Sequence, residues 1–243
     1  MHLIKLNATD STNAYLKDML LGRALEDFTV VAAGTQLKGR GQMGTSWISE
    51  PGKNLTFSVL KNFKGLGAID QFRINICVSI SIYEALSQIN IPDLMIKWPN
   101  DIMSGRHKIC GILIENMLSG QDINASIIGV GLNVNQLAFE NLPDVSSLKL
   151  LTGINFDLDE VLFLIVGRLK INLGAITGNH FEALKLSYGN QLFRKDRPST
   201  FRNGKGELFM GFIKGVSDSG KLLVLLEDDV LQEFDLKQLR LLY

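Results

Sequence analysis

The sequence predicts an α+β fold in two unequal parts: a main domain of apolar strands flanked by helices, and a small all-β unit at the C-terminal end. Two observations carry this. The centre of the chain is a series of β-branched and apolar stretches punctuated by turn residues, with segments of helical spacing before and after. Beyond Pro198 the texture changes to short strands separated by Asn203-Gly204, Asp218-Ser219-Gly220 and Asp228-Asp229, the pattern of a small barrel. Such a piece is marginal alone and is expected to dock on the larger domain.

A short apolar strand, His2 to Leu6, comes first. Asp10-Ser11-Thr12-Asn13 then precedes a helical segment through Leu21, and Ser, Thr or Asp there can cap its free amides. Thr29 to Ala33 and Leu55 to Lys61 have strand composition. Phe72 to Ile89 alternates as a strand would, but a run this long without a turn signal is expected to be a buried helix ended by Pro92. Leu94 to Trp98, Ile109 to Asn116 and Asn124 to Val130 read as three strands, the last two joined by a turn at Ser119-Gly120-Gln121-Asp122. From Asp157 to about Tyr188 the pattern is helical, and Phe163, Val166, Leu169 and Leu173 are expected to cover the sheet.

Apolar residues make up 46% of the chain and charged residues 21%, ordinary for a globular protein. Lys plus Arg and Asp plus Glu number 25 each, so no global basic field draws the chain to nucleic acid. The two cysteines, Cys77 and Cys110, sit among aliphatic neighbours and read as small hydrophobes in a reducing compartment. The start, Met1-His2-Leu3-Ile4-Lys5, lacks a signal peptide's apolar run. Val161 to Ile176 is broken by Arg168 and Lys170 well short of a membrane span. The expectation is a cytoplasmic protein with no membrane role.

Residues 36–47, Gln-Leu-Lys-Gly-Arg-Gly-Gln-Met-Gly-Thr-Ser-Trp, join backbone permissiveness to fixed positive charge. Gly39, Gly41 and Gly44 allow positive φ and close approach of amides to a ligand, and Arg40 supplies a planar donor fork, so the segment suits a phosphate or carboxylate. A Gly-rich surface connection is the plainer alternative. Lys97-Trp98-Pro99-Asn100-Asp101 presents polar groups at a strand end, although Asn and Asp also serve turns for local reasons. Lys108 precedes the apolar strand containing Gly111, and can aim a point charge at a bound anion or simply be solvated. Gly129-Val130-Gly131-Leu132-Asn133-Val134 lacks the third glycine of a dinucleotide fingerprint, but Asn133 has both a donor and an acceptor for an adenine edge or a ribose hydroxyl. The histidines His2, His107 and His180 are scattered, and His107 reads as a surface residue. Cys-x-x-Cys, Gly-x-Ser-x-Gly and the Gly-Lys-Ser/Thr phosphate loop do not occur.

Taken together, the segments at Ser11, Arg40, Lys97, Lys108 and Gly129 resemble the biotin–protein ligases over nearly the whole chain. The resemblance implies a catalytic domain like that of class II aminoacyl-tRNA synthetases at residues 1–194 and an SH3-like β-barrel at residues 195–243. It implies an ATP-dependent reaction in which biotin becomes biotinyl-5'-AMP, with Mg2+ present, and is then passed to a lysine of a biotin carboxyl carrier domain. Longer members carry an N-terminal DNA-binding domain, and with only Met1 to Asp10 before Ser11 the expectation is a short form without one.

Matched by position, Ser11, Thr12, Asn13 and Gln36 are implied to contact the biotin ureido ring. Arg40, Gly41 and Gln42 are implied to close over biotin and the adenylate phosphate, with Gly111 near the biotin and Lys108 as the catalytic lysine beside its carboxylate. Trp47 and Asn133 are implied to frame the adenine, and Lys97, Asn100 and Asp101 to line the nucleotide and magnesium side. Some relatives carry a Gly-Arg-Gly-Arg-Arg-Gly-Arg loop where this chain has Gln42, Met43 and Thr45, which implies weaker retention of the anionic adenylate. Trp98 and the Gly111 strand are candidates for the apolar pocket wall, and strand edges near Leu113 or Ile127 for pairing with the carrier or in a homodimer. The rival readings are a lipoate–protein ligase of the same fold and a non-catalytic biotin sensor.

Overall fold

In the computed structural model, which describes residues 2–140 and 142–243, β1 (His2–Thr9) and β2 (Thr29–Gln36) run parallel, joined by α1 (Thr12–Gly22). The strands β3 (Leu55–Gly67), β4 (Leu94–Lys97), β5 (Asp101–Ser104), β6 (His107–Ser119) and β7 (Asp122–Leu132) complete a seven-stranded sheet in the order β1-β2-β3-β7-β6-β5-β4, antiparallel beyond β2. One strand more appears than the sequence suggested, because Lys97 to Asp101 closes a β4–β5 hairpin and Asp101 itself opens β5. The strand edges expected to be free near Leu113 and Ile127 are not: β6 and β7 are interior, with Leu113 paired to Gly129 and Glu115 to Ile127. The outer strands are β1 and β4.

The ambiguous run after Phe72 is α2 (Gln71–Gln88), with Ile74, Ile76, Cys77, Val78, Ile80 and Ile82 all buried. It packs against β4, β5 and β6 on one side and against α4 (Leu158–Gly174) and α5 (Asn179–Asn190) on the other. A helix enclosed all round carries apolar residues at every spacing, so strand-like alternation coexists with helix. The helical stretch expected from Asp157 to Tyr188 is in fact two helices, interrupted after Gly174, with Gly178 at φ 97° before α5. Asp157 caps α4 by accepting from the amides of Asp159 and Glu160. Of the residues assigned to its buried face, Val166, Leu169 and Leu173 are buried, but Phe163 is 49% exposed. The helix covers α2, and Phe163 lies off the stripe that Leu162, Ile165 and Val166 make against it. Between the sheet and α4 lies α3 (Leu148–Thr152), a single short helix in the chain order.

The C-terminal strands β8 (Pro198–Asn203), β9 (Leu208–Val216), β10 (Leu222–Leu226), β11 (Leu231–Phe234) and β12 (Leu239–Leu242) form an antiparallel sheet in the order β11-β10-β9-β8-β12. Among the described residues β11 and β12 do not pair, so the expected barrel is an open, five-stranded sheet. Phe209 stacks between Phe201 and Phe234, with ring centroids 5.3 and 5.5 Å apart. The small sheet shares one apolar core with the large one through Phe201, Ile213 and Leu222. Trp98 Nε1 donates to the Gly220 carbonyl at 2.8 Å. Gly220 has φ 87°, and a Cβ there would lie 2.3 Å from the Phe72 ring, so this contact admits only glycine.

Both cysteines are free and buried; burial pushes the Cys77 thiol up to about 12 and raises that of Cys110 as well. No helix among the described residues is long and apolar enough to cross a membrane.

Candidate active site

Ser11 starts α1 in extended conformation, its Oγ accepting from the Ala14 amide, so the cap and the site share one residue. The next two side chains are turned inward and buried. Thr12 donates from its amide to Gln36 Oε1 at 2.8 Å and from its hydroxyl to the same oxygen at 3.2 Å. With Oε1 committed, Gln36 Nε2 remains to donate to a ligand. Asn13 is held in the opposite sense. Its Nδ2 donates to Glu115 Oε2 at 2.7 Å and to the Leu113 carbonyl at 3.4 Å, while its Oδ1 accepts from Ser58 Oγ at 2.5 Å. Since a carboxylate only accepts, Nδ2 must face Glu115, and the second lone pair of Oδ1 is left for a donor.

The floor is a bare strip of sheet. Gly111 on β6 is paired with Gly131 on β7, and Leu113 with Gly129. A Cβ on Gly129 would lie 2.4 Å from Asn13 Oδ1, and one on Gly131 would lie 2.4 Å from the Trp47 indole. The Gly-x-Gly at 129–131 is therefore the seat of the Asn13 and Trp47 side chains.

The Gly-rich segment is a small hairpin. Gly41 N donates to the Thr45 carbonyl at 2.7 Å, Trp47 N donates to the Gly39 carbonyl at 2.9 Å, and Arg40 bridges to Ser46. Of the three glycines expected to need positive φ, only Gly44, at 78°, has it. Gly39 and Gly41 are required by close approach instead, since a Cβ would lie 2.3 Å from the Trp47 carbonyl oxygen and 2.4 Å from Thr45 Oγ1 respectively. The hairpin lays Trp47 over the glycine strip and leaves its Nε1 and the Gln42 Oε1 buried without partners. Buried unpaired polar atoms at a cavity wall are sites for ligand contact.

Lys108, near the start of β6, pairs with Asp101 at the start of β5, Nζ to Oδ1 at 2.7 Å. Its ammonium lies 6.0 Å from the Trp47 ring. Asn100 is spent on the fold: its Nδ2 donates to the Ile112 carbonyl at 2.6 Å and its own carbonyl accepts from the Ile112 amide at 3.0 Å. Lys97 donates to Tyr243 Oη at 3.1 Å and sits 4.6 Å above that ring, so the last strand of the small sheet reaches the site.

These pieces enclose a cavity of about 620 Å³. Ser11, Asn13, Gln36, Arg40, Gly41, Gln42, Trp47, Lys97, Asn100, Asp101, Lys108 and Gly111 all line it, with Trp98. Two implied site residues do not. Thr12 lies behind Gln36 and orients it, and Asn133 is buried with its Nδ2 donating to the Ser146 carbonyl at 3.1 Å. Asn133 anchors the segment bearing Asp144, whose carbonyl accepts from the Lys108 amide. His107 is exposed, as the sequence suggested. Asp144 and Arg240 line the cavity without having been picked out from sequence, and Ser58 and Glu115 support it from behind. Ser58 had a signal: Thr56 and Ser58 alternate with Leu55, Phe57 and Val59, which marks a polar face on a buried strand. Arg240 had none, because nothing local ties a C-terminal strand to a cavity in the other sheet.

Residues 6–133 match the sequence model of the Biotin/lipoate A/B protein ligase family. The chain belongs to this family. Among similar proteins, the biotin–[acetyl-CoA-carboxylase] ligase of Paracoccus denitrificans is 28% identical over 231 residues, covering 90% of this chain and 92% of that one. The bifunctional ligase/repressor BirA of Escherichia coli (strain K12) is 29% identical over 224 residues, covering 90% and 68%. The solved structure of biotin protein ligase from Aquifex aeolicus in complex with biotin and ATP matches with a TM-score of 0.81 at 28% identity, covering 99% of this chain and 98% of that one. The match to the Aquifex structure over 99% of this chain takes in both the mixed sheet and the small appended sheet.

Proposed function

We propose that this protein is a biotin–protein ligase that forms biotinyl-5'-AMP from biotin and ATP and transfers biotin to a lysine of a carrier domain of a biotin-dependent carboxylase. One observation carries the reading. Gln36 is fixed as a donor and Asn13 as an acceptor at one end of the cavity, the complement of a ureido carbonyl and ureido N–H. A dithiolane ring, as in lipoate, would leave both unpaired. Similarity to named biotin ligases agrees with this.

Arg40 and Lys108 both line the cavity, and in this reading they meet the biotin carboxylate and the α-phosphate. Biotin's carboxylate oxygen attacks the α-phosphorus, the bond to the β-phosphate oxygen breaks, and pyrophosphate leaves. The two cations offset the repulsion and stabilise charge on the pentavalent phosphorus. In the second step a neutral lysine amine attacks the acyl carbon and AMP leaves, so no protein nucleophile is needed. A magnesium ion brought in with the substrate phosphates would need only one or two protein carboxylates, which Asp101 and Asp144 on this wall would supply, and it would neutralise phosphate charge there. Residues 1–194 carry the acid and nucleotide ends in this reading, and residues 195–243 add Arg240 and Tyr243 to the wall.

Gln42 lines the cavity where a more cationic loop would carry arginine. Gln42→Arg adds a charge next to the adenylate phosphate, and slower release of biotinyl-adenylate in a chase experiment is the expected result; an unchanged rate removes the loop from the account of retention.

The functional test is pyrophosphate release by the purified protein with Mg-ATP and either biotin or lipoate, with mass detection of the adenylate. Biotin-dependent release supports the reading. Release with lipoate alone assigns the chain to the lipoate side of its family, and binding of biotin without release makes it a sensor.

A further inference from the structure

Glu115 lies on β6 behind the cavity, with its side chain 29% exposed, and a single oxygen serves two neighbours. Oε2 accepts from Asn13 Nδ2 at 2.7 Å and lies 3.5 Å from the Arg40 guanidinium. The bond to Asn13 is short and partly buried, whereas the contact to Arg40 is long and its side chain is 51% exposed. The first is therefore the strong contact, and the second yields easily to an arriving anion.

Two consequences follow. Turned by Glu115 and Ser58, the Asn13 amide points an acceptor into the acid end of the cavity; without the carboxylate, only the long 3.4 Å contact to the Leu113 carbonyl is left on that side to hold Nδ2. The same negative charge sits beside Arg40, 3.5 Å from its guanidinium, where it opposes an anionic phosphate at that place.

We propose that Glu115 is a positioning residue that serves two neighbouring groups of the site: it orients Asn13 for the ureido group, and it parks Arg40 until the phosphate displaces it. The inference rests on the biotin and ATP reading above. Wild-type protein must first form biotinyl-adenylate; if it does not, that reading fails and Glu115 is not on trial.

Given a wild-type protein that forms the adenylate, two variants separate the links. Glu115→Ala removes both, and the KM for biotin is expected to rise by about 10-fold or more while the KM for ATP changes by under about threefold. Glu115→Gln keeps an oxygen for Asn13 and removes the charge. Its KM for biotin is expected to stay within about threefold of wild type, and biotinyl-adenylate release is expected to slow by roughly two- to tenfold. A purely structural residue would move both KM values and the melting temperature together in Glu115→Ala, with no rescue by Glu115→Gln, and that result overturns the proposal. Unchanged or faster adenylate release in Glu115→Gln overturns the link to Arg40.

Discussion

Lys108→Ala lowers the single-turnover rate of biotinyl-adenylate formation by about 10²- to 10³-fold, the scale of losing one oriented charge at a reacting centre. The fold is expected to survive. Lys108 is held by β6 through its backbone, with its amide on the Asp144 carbonyl and its own carbonyl accepting from Ser146, and neither bond depends on the side chain. The kinetic loss has two parts. In the proposed reaction the ammonium is lost from beside the phosphates, and Asp101, 2.7 Å away in the intact protein, is left without its partner and would repel them. Lys108→Arg keeps the charge on a different geometry and is expected to restore only part of the rate. Arg40→Ala should also slow the step, by less, because Arg40 is half exposed on a hairpin whereas Lys108 is fixed on a strand. Pyrophosphate bursts of wild-type amplitude and rate in both variants would show that neither cation meets the reacting atoms.

Gly129→Ala is expected to raise the KM for biotin by about 10-fold or more with little change in the KM for ATP. The added methyl would sit 2.4 Å from Asn13 Oδ1 and 3.0 Å from its Cγ, so Asn13 must move out of its place between Ser58 and Glu115. Displacement by about 1 Å is enough to break hydrogen bonds of this kind. The backbone itself accommodates alanine: Gly129 pairs within β7 to both β3 and β6 and is not among the positive-φ glycines. Titration of biotin binding by calorimetry, alongside a melting curve, distinguishes loss of the pocket from loss of the fold. Affinity equal to wild type would mean that Asn13 does not contact the ligand.

Much of this was legible in the sequence because it is local. Alternation and turn residues marked the strands, Ser11 announced a helix start, and Arg40 among glycines announced a place for an anion. The buried run after Phe72 is legible as a helix from its length without a turn signal, and the structure shows why its pattern is mixed: α2 is enclosed by the sheet and by α4 and α5. Errors fell where partners are distant. The interruption after Gly174 is the exception, since Thr177-Gly178-Asn179 is a local turn signal inside the helical stretch. β5 is four residues long and merged with the turn before it. The edges near Leu113 and Ile127 looked free only because a strand's neighbours are invisible in its own composition.

The chain by itself determined the class of fold, the residue types gathered for anion and amide recognition, and family membership through motifs read in order along it. Only the tertiary structure decided how those residues are used. It engaged Thr12 with Gln36 and Asn133 with the Ser146 carbonyl, paired Lys108 with Asp101, brought Arg240 and Tyr243 across from the second sheet, and set Glu115 between Asn13 and Arg40. The reason is physical: a side chain's type limits what it can bond to, but the direction in which a donor or charge points is fixed by partners that lie tens of residues away and meet it only when the sheet has formed.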